Sequence, residues 1–233
     1  MTPLRVHSFQ SLGTLDGPGV RYVVFLQGCP LRCGCCHNPD TLDRSAGTLY
    51  TASEVLARAL RFREYFGKSG GVTLSGGEPL LQAEAAADFF ALCRDSGLHT
   101  CLDTSGCLQN EATERLLSLT DRVLLDIKYT EDSLYRAHVG CSLSAPLAFL
   151  AELSRRGIPT TLRQVIIPGK NDTAENILRL REIAAEAPCV DGVELLPFRK
   201  ICQVKYDRMG ISFPFADIPE PTKEKMSELR ALL

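Results

Sequence analysis

Residues 21–38 of the chain read RYVVFLQGCPLRCGCCHN, an apolar run that leads into a segment with four cysteines. Cys29, Cys33 and Cys36 are separated by three and then two residues, so a compact loop can turn three thiolates toward one centre. A 4Fe-4S cluster held by three cysteines leaves one iron open for a substrate. A structural zinc site usually offers two recognisable cysteine pairs, and this chain offers one. The spacing therefore favours a cluster and leaves a zinc-stabilised binding module as the alternative.

The composition limits the classes of protein to consider. A chain of 233 residues with 45% apolar and 23% charged residues can bury one core, so we expect a single domain over residues 1–233. The 26 basic and 28 acidic residues are spread along the chain, which argues against a nucleic-acid partner. No run approaches the ~20 apolar residues of a membrane span. We therefore expect an unexported, cytoplasmic monomer whose ten cysteines are reduced thiols and metal ligands.

Apolar runs typical of strands alternate with helix-like periodic segments along the whole chain, which predicts parallel βαβ units. Thr51 with Glu54, and Asp172 with Glu175, have the spacing of a capping box and predict two helix starts. The predicted strands are Arg21–Leu26, Val72–Leu74, His99–Leu102, Arg122–Asp126, Thr160–Ile167 and Gly192–Leu196. The predicted fold is α/β, a partial (β/α)6 TIM-like barrel of parallel strands that is open on one side.

The chemically unusual segments each fall at or just after the end of a different predicted strand. In a parallel barrel those ends share one rim, where such folds place their sites. The segments are the cysteine loop, Gly76-Gly77-Glu78, Asp103-Thr104-Ser105, Asp126 with Lys128, and Pro197-Phe198-Arg199. The pattern predicts one site at that rim.

Seven segments then give the chain its resemblance to a known family. They are HSFQSLGTLDGPGVR from residue 7, FLQGCPLRCGCCHNPDT from 25, GGVTLSGGEPLLQ from 70, HTCLDTSG from 99, LLDIK from 124, VIIPGKND from 165, and ELLPF from 194, which is followed by KY at 205. The chain resembles the radical S-adenosylmethionine (SAM) superfamily and, within it, the activating enzymes of glycyl radical enzymes. The DGPGVR segment makes the second likeness specific.

The resemblance implies that a 4Fe-4S cluster on Cys29, Cys33 and Cys36 reductively cleaves SAM. The 5'-deoxyadenosyl radical then removes hydrogen from a glycine of a partner glycyl radical enzyme, with pyruvate formate-lyase as the expected partner. The partner's glycine loop would enter the lateral gap and meet Asp16, and reduced flavodoxin or ferredoxin would donate the electron. The rival interpretations are an activase of another glycyl radical enzyme and a radical SAM enzyme that acts on a small molecule.

The resemblance also implies roles for residues around the cluster. Gly76, Gly77 and Glu78 would bind the SAM amino group, and Asp103, Thr104 and Asp126 would hold a monovalent cation near the SAM carboxylate. Further cofactor contacts are implied for Cys35, Cys36, His37, Lys128, Arg163 and Arg199. Simpler interpretations stay open: a turn before a helix at Gly-Gly-Glu, turn capping by Asp103 and Thr104, a structural pair of Asp126 with Lys128, and a solvent-facing Arg163.

The sequence departs from the family pattern at three positions. Cys35 stands where the superfamily usually has an aromatic residue near adenine, and it could compete with Cys36 as a ligand. Arg199 replaces a histidine of close relatives and keeps a donor but no acceptor, and Cys202 replaces a glycine. Cys107, Cys141 and Cys202 lie in segments that could reach the rim. They lack ferredoxin spacing, so a second cluster is the less favoured interpretation.

Overall fold

A computed structural model of the chain describes residues 2–233 and confirms an α/β fold with a mostly parallel open sheet. In the described chain the sheet has eight strands in the order β3-β1-β2-β4-β5-β6-β7-β8. The strands are β1 Leu4–Gly13, β2 Arg21–Leu26, β3 Thr48–Tyr50, β4 Gly71–Gly76, β5 His99–Thr104, β6 Arg122–Asp126, β7 Thr160–Ile166 and β8 Val190–Pro197. All six predicted strands are present.

The two strands that the apolar pattern missed are β1 and β3. They add an antiparallel edge, because β1 pairs antiparallel with both β2 and β3, whereas β2 with β4, β4 with β5, and β7 with β8 are parallel pairs. Only the first part of β1 is well buried, and its second half carries exposed polar residues. A strand with this burial pattern has no continuous apolar run to reveal it.

The helices follow the predicted alternation, with one corrected start. They are α1 Ala52–Leu60, α2 Arg63–Phe66, α3 Ala83–Asp95, α4 Glu111–Ser118, α5 Asp132–His138, α6 Ser144–Arg156, α7 Ala174–Ala185, α8 Gln203–Met209 and α9 Lys223–Arg230. The Thr51–Glu54 capping box is confirmed. The predicted box at Asp172 is wrong: Thr173 caps α7, whereas Asp172 accepts from the Gly169 N–H at 2.8 Å. No helix within residues 2–233 is both long and apolar enough to cross a bilayer.

The chain divides into two compact units, each with its own apolar core. The first unit holds the described residues up to Pro30 with Thr41–Thr104 and Leu108–Leu124, and the second holds Leu31–Asp40, Ser105–Cys107 and Leu125–Leu233. In the first unit the buried side chains come mainly from β2, β4, β5 and α3, and in the second from β7, α6 and α7. Each unit carries part of the predicted site residues.

The DGPG turn, residues 16–19, lies in the first unit between β1 and β2. It precedes β2, whereas the cysteine loop follows the other end of that six-residue strand. Six extended residues span about 20 Å, so Asp16 lies at the opposite end of β2 from Cys29. Asp16 therefore precedes a strand and is not one of the residues that follow strand ends.

Arg21, at the end of the DGPGVR segment, anchors this turn. Its side chain is fully buried, and its Nε donates to Thr73 Oγ1 at 2.9 Å. Its two terminal nitrogens donate to the carbonyl oxygens of Ser69, at 3.4 Å, and of Val72. Thr73 Oγ1 in turn donates to the carbonyl oxygen of Asp16 at 2.7 Å. A buried arginine thus connects the turn to β4.

We expect Arg21→Met to lower the free energy of unfolding by about 3 kcal/mol, because several buried oxygens lose their donor together. Urea denaturation followed by circular dichroism measures the change. Arg61→Met is the control, since Arg61 is exposed, and should change the free energy by less than about 0.5 kcal/mol. Equal effects of the two substitutions would contradict the anchoring role.

Candidate functional site

In the first unit, the Gly-Gly-Glu turn after β4 lies directly against the start of the cysteine loop. The Gly77 N–H donates to the Leu26 carbonyl and the Glu78 N–H to the Gly28 carbonyl, each at 2.9 Å. A Cβ at Gly77 would lie 2.2 Å from the Gly28 oxygen, and Gly76 has a φ of 105°. Both glycines are therefore required by the close approach of two backbones.

Glu78 and the end of β5 form a buried polar cluster in the same unit. Glu78 is 1% exposed, and its Oε1 accepts from the Leu80 N–H at 3.1 Å and from Thr104 Oγ1 at 2.5 Å. Ser75 Oγ donates to Asp103 Oδ2 at 2.7 Å. The Gly-Gly-Glu segment is also a turn before a helix, as the simpler interpretation has it, since Glu78 caps the short 3-10 helix Pro79–Gln82. The turn before a helix and the strand end are one polar assembly.

In the second unit, the backbone of the cysteine loop is held from two sides. The Arg32 N–H donates to the Val139 carbonyl at 3.1 Å and the Gly34 N–H to the His138 carbonyl at 2.9 Å. On the other side, the Tyr206 hydroxyl donates to the Cys36 carbonyl at 3.2 Å. The loop is therefore preorganised by hydrogen bonds to its main chain.

Lys205 extends this support to the end of the loop. Its Nζ donates to Asn38 Oδ1 at 2.9 Å and to Asp40 Oδ1 at 3.0 Å. Lys205 and Tyr206 are the KY pair in which the chain resembles the family, but the sequence did not indicate what these two residues do. The contacts join residues about 165 positions apart, and no local pattern predicts them.

No cysteine of the loop forms a disulfide with another residue of 2–233, and the surroundings of these thiols suit an iron-sulfur cluster. Burial raises the pKa of Cys36 to about 11 and that of Cys35 to about 12, and it also raises the pKa of Cys33. The Tyr129 hydroxyl is buried and has no hydrogen-bond partner within residues 2–233. Burial, followed by the charges of Cys35 and Cys33, raises the pKa of this phenol, which places it close to the loop. Soft sulfur ligands beside an unused donor fit a cluster with acceptor sulfides.

A single metal ion fits less well. Among residues 2–233, no three His, Cys, Asp or Glu side chains are placed to hold one ion. A zinc ion needs its ligand atoms within about 2.3 Å of one point, whereas the cysteines of a cluster bind different irons. The loop cysteines, as placed in residues 2–233, are therefore not arranged as three ligands of one zinc ion.

Asp126, Lys128 and Arg163 form a charged group in the second unit. Lys128 Nζ lies 2.9 Å from Asp126 Oδ2, and Arg163 Nε lies 3.3 Å from Asp126 Oδ1. Burial alone would raise the pKa of Asp126, but the charges of Lys128 and Arg163 outweigh it and hold the pKa below its usual range. The Arg163 side chain is 11% exposed, so the solvent-facing alternative is wrong. The predicted Asp126–Lys128 pair is present, with Arg163 as a third member.

Two other predicted residues meet through the backbone. His37 Nε2 lies 3.0 Å from the Arg199 carbonyl oxygen. The Arg199 guanidinium instead pairs with Glu220 Oε2 at 2.6 Å and is 49% exposed. The Cys202 side chain is buried, with its Sγ 3.9 Å from the same carbonyl. The structure therefore gives Arg199 a backbone contact with the cysteine loop and a side chain engaged elsewhere.

A family comparison agrees with this geometry. The model of the radical SAM superfamily matches residues 23–181, which include the cysteine loop, the Gly-Gly-Glu turn and the Asp126 group. The chain belongs to the radical SAM superfamily. Membership implies a 4Fe-4S cluster and SAM as cofactors. The predicted membership of the radical SAM superfamily is thereby confirmed.

Relatives within the radical SAM superfamily match almost the whole chain. The pyruvate formate-lyase-activating enzyme of Clostridium pasteurianum is 43% identical over 230 residues, which is 98% of this chain and 96% of that protein. The pyruvate formate-lyase 1-activating enzyme of Escherichia coli K12 is 38% identical over 232 residues, 98% of this chain and 94% of that protein. A domain of a pyruvate-formate lyase-activating enzyme from Bacteroides vulgatus has a shared fold, with a TM-score of 0.59 at 23% identity over 70% of this chain and 92% of that chain.

Proposed function

We propose that this chain is the activating enzyme of a glycyl radical enzyme, with pyruvate formate-lyase as its partner. The observation that carries the proposal is the 43% identity with a pyruvate formate-lyase-activating enzyme over nearly the full length of both chains. A cluster held by the cysteine loop would supply the one-electron reduction that cleaves SAM, for removal of hydrogen from the partner's glycine. The protein residues bind, orient and shield these groups.

Cys29, Cys33 and Cys36 are the proposed cluster ligands. The hydrogen bonds that fix the loop backbone at Gly34 and Cys36 support this role, because they hold the turn without using the thiols. Cys35 is proposed to lie beside the SAM adenine. The free hydroxyl of Tyr129 is suited to donate to a sulfur of the cluster or of its ligands.

Charged and turn residues are proposed to orient SAM. Lys128 and Arg163 carry positive charges suited to the SAM carboxylate, and Asp126 holds both in place. In the first unit, Gly76, Gly77 and Glu78 are proposed to receive the amino group, and the lack of Cβ atoms keeps the turn close to the loop. His37 and Arg199 would contribute through the contact of the His37 ring with the Arg199 carbonyl.

A monovalent cation is proposed at Asp103, Thr104 and Asp126, since hard oxygen ligands suit such an ion. Asp126 would have to exchange one of its present contacts with Lys128 or Arg163 for the ion. Activity measured in sodium, potassium and tetramethylammonium salts tests the proposal. Equal rates in all three would contradict it.

The remaining proposals concern partners and setting. We propose reduced flavodoxin or ferredoxin as the electron donor, and a cytoplasmic monomer that works as a single radical SAM domain over residues 1–233. Asp16 is proposed to contact the partner's glycine loop. The nearly balanced charge, −2 at pH 7, supports a protein partner rather than nucleic acid.

Electron paramagnetic resonance tests the main proposal. Anaerobically prepared protein with its cluster is incubated with SAM, pyruvate formate-lyase and either reduced flavodoxin or reduced ferredoxin. We expect an organic radical signal on the partner that is absent when its radical glycine is replaced by alanine. Cleavage of SAM without this signal, and with turnover of a metabolite, would favour the small-molecule alternative. No cleavage under any reductant would overturn both.

Lys128→Met is expected to weaken the binding of SAM to the unreduced protein by about 10- to 100-fold, because one charge-assisted hydrogen bond is lost. Equilibrium dialysis with labelled SAM measures the affinity. The control is Lys223→Met, since Lys223 is exposed on α9, and it should leave the affinity within about twofold. Unchanged affinity in Lys128→Met would exclude Lys128 from the SAM site.

A further inference from the structure

Two cysteines outside the cluster loop meet in the second unit. Cys107 lies in the segment after β5, and Cys141 lies in the connection between α5 and α6. The two cysteines are 34 positions apart in the sequence. Their Sγ atoms are 2.7 Å apart, and both residues are partly exposed. Since no three ligand side chains within residues 2–233 are placed around one ion, the pair does not resemble a second metal centre.

The segment that carries Cys107 is fixed against its own unit. Gly106 has a φ of 65°, and a Cβ there would lie 2.8 Å from the Leu125 side chain and 3.0 Å from that of Phe149. The Cys107 N–H donates to Ser105 Oγ at 3.3 Å. The Cys107 thiol therefore stays near its present position without needing Cys141 to hold it.

The connection that carries Cys141 is fixed independently by α5. The Val139 and Gly140 N–H groups donate to the Tyr135 carbonyl at 2.9 Å and 3.2 Å. On the other side of Cys141, Asp132 Oδ1 accepts from Ser142 Oγ at 2.7 Å and from the Leu143 N–H at 2.8 Å. Two separately anchored segments thus present their thiols to each other, which is the preorganisation that a disulfide requires.

We propose that Cys107 and Cys141 are a modification site that forms a reversible disulfide when the protein meets a low-molecular-weight disulfide such as oxidised glutathione. The thiolate of one of the two cysteines attacks the oxidant, breaks its sulfur–sulfur bond and releases one thiol. The thiolate of the other cysteine then attacks the mixed disulfide and releases the second thiol. Two protein thiols are oxidised, the oxidant is reduced to two thiols, and these carry the two protons.

Burial raises the pKa of both thiols. Because both pKa values stay above the ordinary range, the thiolate fraction at neutral pH is small and the exchange is slow. Such a site responds to sustained oxidation.

The disulfide would restrain the segment that hydrogen-bonds to the backbone of the cysteine loop. Residues 138 and 139, which accept hydrogen bonds from the Gly34 and Arg32 N–H groups, immediately precede the connection that holds Cys141. A bond from Cys141 to the segment after β5 would therefore restrict the motion of residues 138 and 139. We expect amide hydrogen exchange in residues 138–143 to slow at least tenfold in the oxidised protein.

Peptide mapping tests the proposal without any radical chemistry. Anaerobic protein with its cluster is incubated with oxidised glutathione, free thiols are alkylated, and the digest is analysed by mass spectrometry. We expect a linked peptide pair that contains Cys107 and Cys141, two hydrogens lighter than the reduced pair and lost on addition of dithiothreitol. Stable glutathione adducts on both cysteines, no oxidation of either, or links from either to a loop cysteine would overturn the proposal.

Variants make the assignment specific. Cys107→Ser and Cys141→Ser should each abolish the linked pair and the slowed hydrogen exchange. Cys189→Ser is the matched control, because the Cys189 thiol lies 3.2 Å from Ser154 Oγ and forms no disulfide within residues 2–233. It should keep the linked pair. Since the map of the unaltered protein needs no variant, a folding defect in either serine substitution leaves the test decisive. Failure of the activation experiment would leave this result unaffected.

Discussion

Cys36→Ala is expected to leave the anaerobically prepared protein without its iron and to reduce SAM cleavage more than 1,000-fold, roughly the loss expected when a group essential for the chemistry is removed. Cys35→Ala is expected to keep most of the iron. Cys33 and Cys36 lie at the two ends of one hydrogen-bonded turn, so we expect Cys36 and not Cys35 to share a centre with Cys33. Iron and sulfide analysis with the visible spectrum measures the result.

The structure favours Cys36 because its backbone is held on both sides. Its N–H donates to the Cys33 carbonyl at 3.1 Å, and its carbonyl accepts from the Tyr206 hydroxyl at 3.2 Å. The first of these bonds closes the turn between the two cysteines. Cys33→Ala and Cys29→Ala should behave like Cys36→Ala, and Cys189→Ala serves as the control for loss of a thiol elsewhere. Loss of iron in Cys35→Ala with retention in Cys36→Ala would reverse the assignment.

Much of the fold followed from the sequence because buried parallel strands have continuous apolar runs. The run from Tyr22 to Leu26 and the strands that follow it were predicted within a few residues. The strands β1 and β3 escaped because they are stabilised by pairing with neighbouring strands and carry little apolar pattern of their own. The Asp172 start failed because the preceding turn at Gly169 competes for the same carboxylate.

The site was predictable where local spacing carried the information. Lys128 two residues beyond Asp126 had to share its face of an extended segment, and the salt bridge confirms the pair. The sequence left open whether Arg163 joins Asp126 and Lys128, because the contact of Arg163 with Asp126 depends on how their strands are placed in the sheet. Arg199 shows the limit most clearly: the sequence placed it near the site, but only the fold reveals that its guanidinium binds Glu220.

Contacts between distant segments could not be predicted at all. Tyr206 reaches Cys36 across 170 positions, and Lys205 reaches Asn38 across 167. The unused Tyr129 hydroxyl was missed for a related reason. A tyrosine in an apolar stretch is normally a core residue, and only the burial of its oxygen without a partner distinguishes this one. Such a residue is recognised only in the folded chain, where its buried hydroxyl has no hydrogen-bond partner among the described residues.

Gly77→Ala is expected to reduce the rate of SAM cleavage at least 100-fold and to lower the free energy of unfolding by about 3 kcal/mol. The new Cβ would lie 2.2 Å from the Gly28 carbonyl oxygen, a backbone atom that cannot rotate away. Relief needs a shift of about 1 Å, which breaks the Gly77–Leu26 and Glu78–Gly28 hydrogen bonds. A displacement of that size near reacting groups costs about 100-fold in rate. Urea denaturation and a single-turnover cleavage assay measure the two effects.

Gly192→Ala separates this collision from the general effect of adding a methyl group to a strand glycine. Gly192 lies in β8, and a Cβ there would have the Thr161 side chain as its nearest neighbour at 3.7 Å, an ordinary contact. Its cleavage rate should stay within about twofold and its stability within about 1 kcal/mol. If Gly77→Ala behaved like Gly192→Ala, the turn would have room to move, and the close approach of its backbone to the cysteine loop would not be what positions the cofactor. A large loss in Gly77→Ala alone means that the missing side chain is itself part of the site.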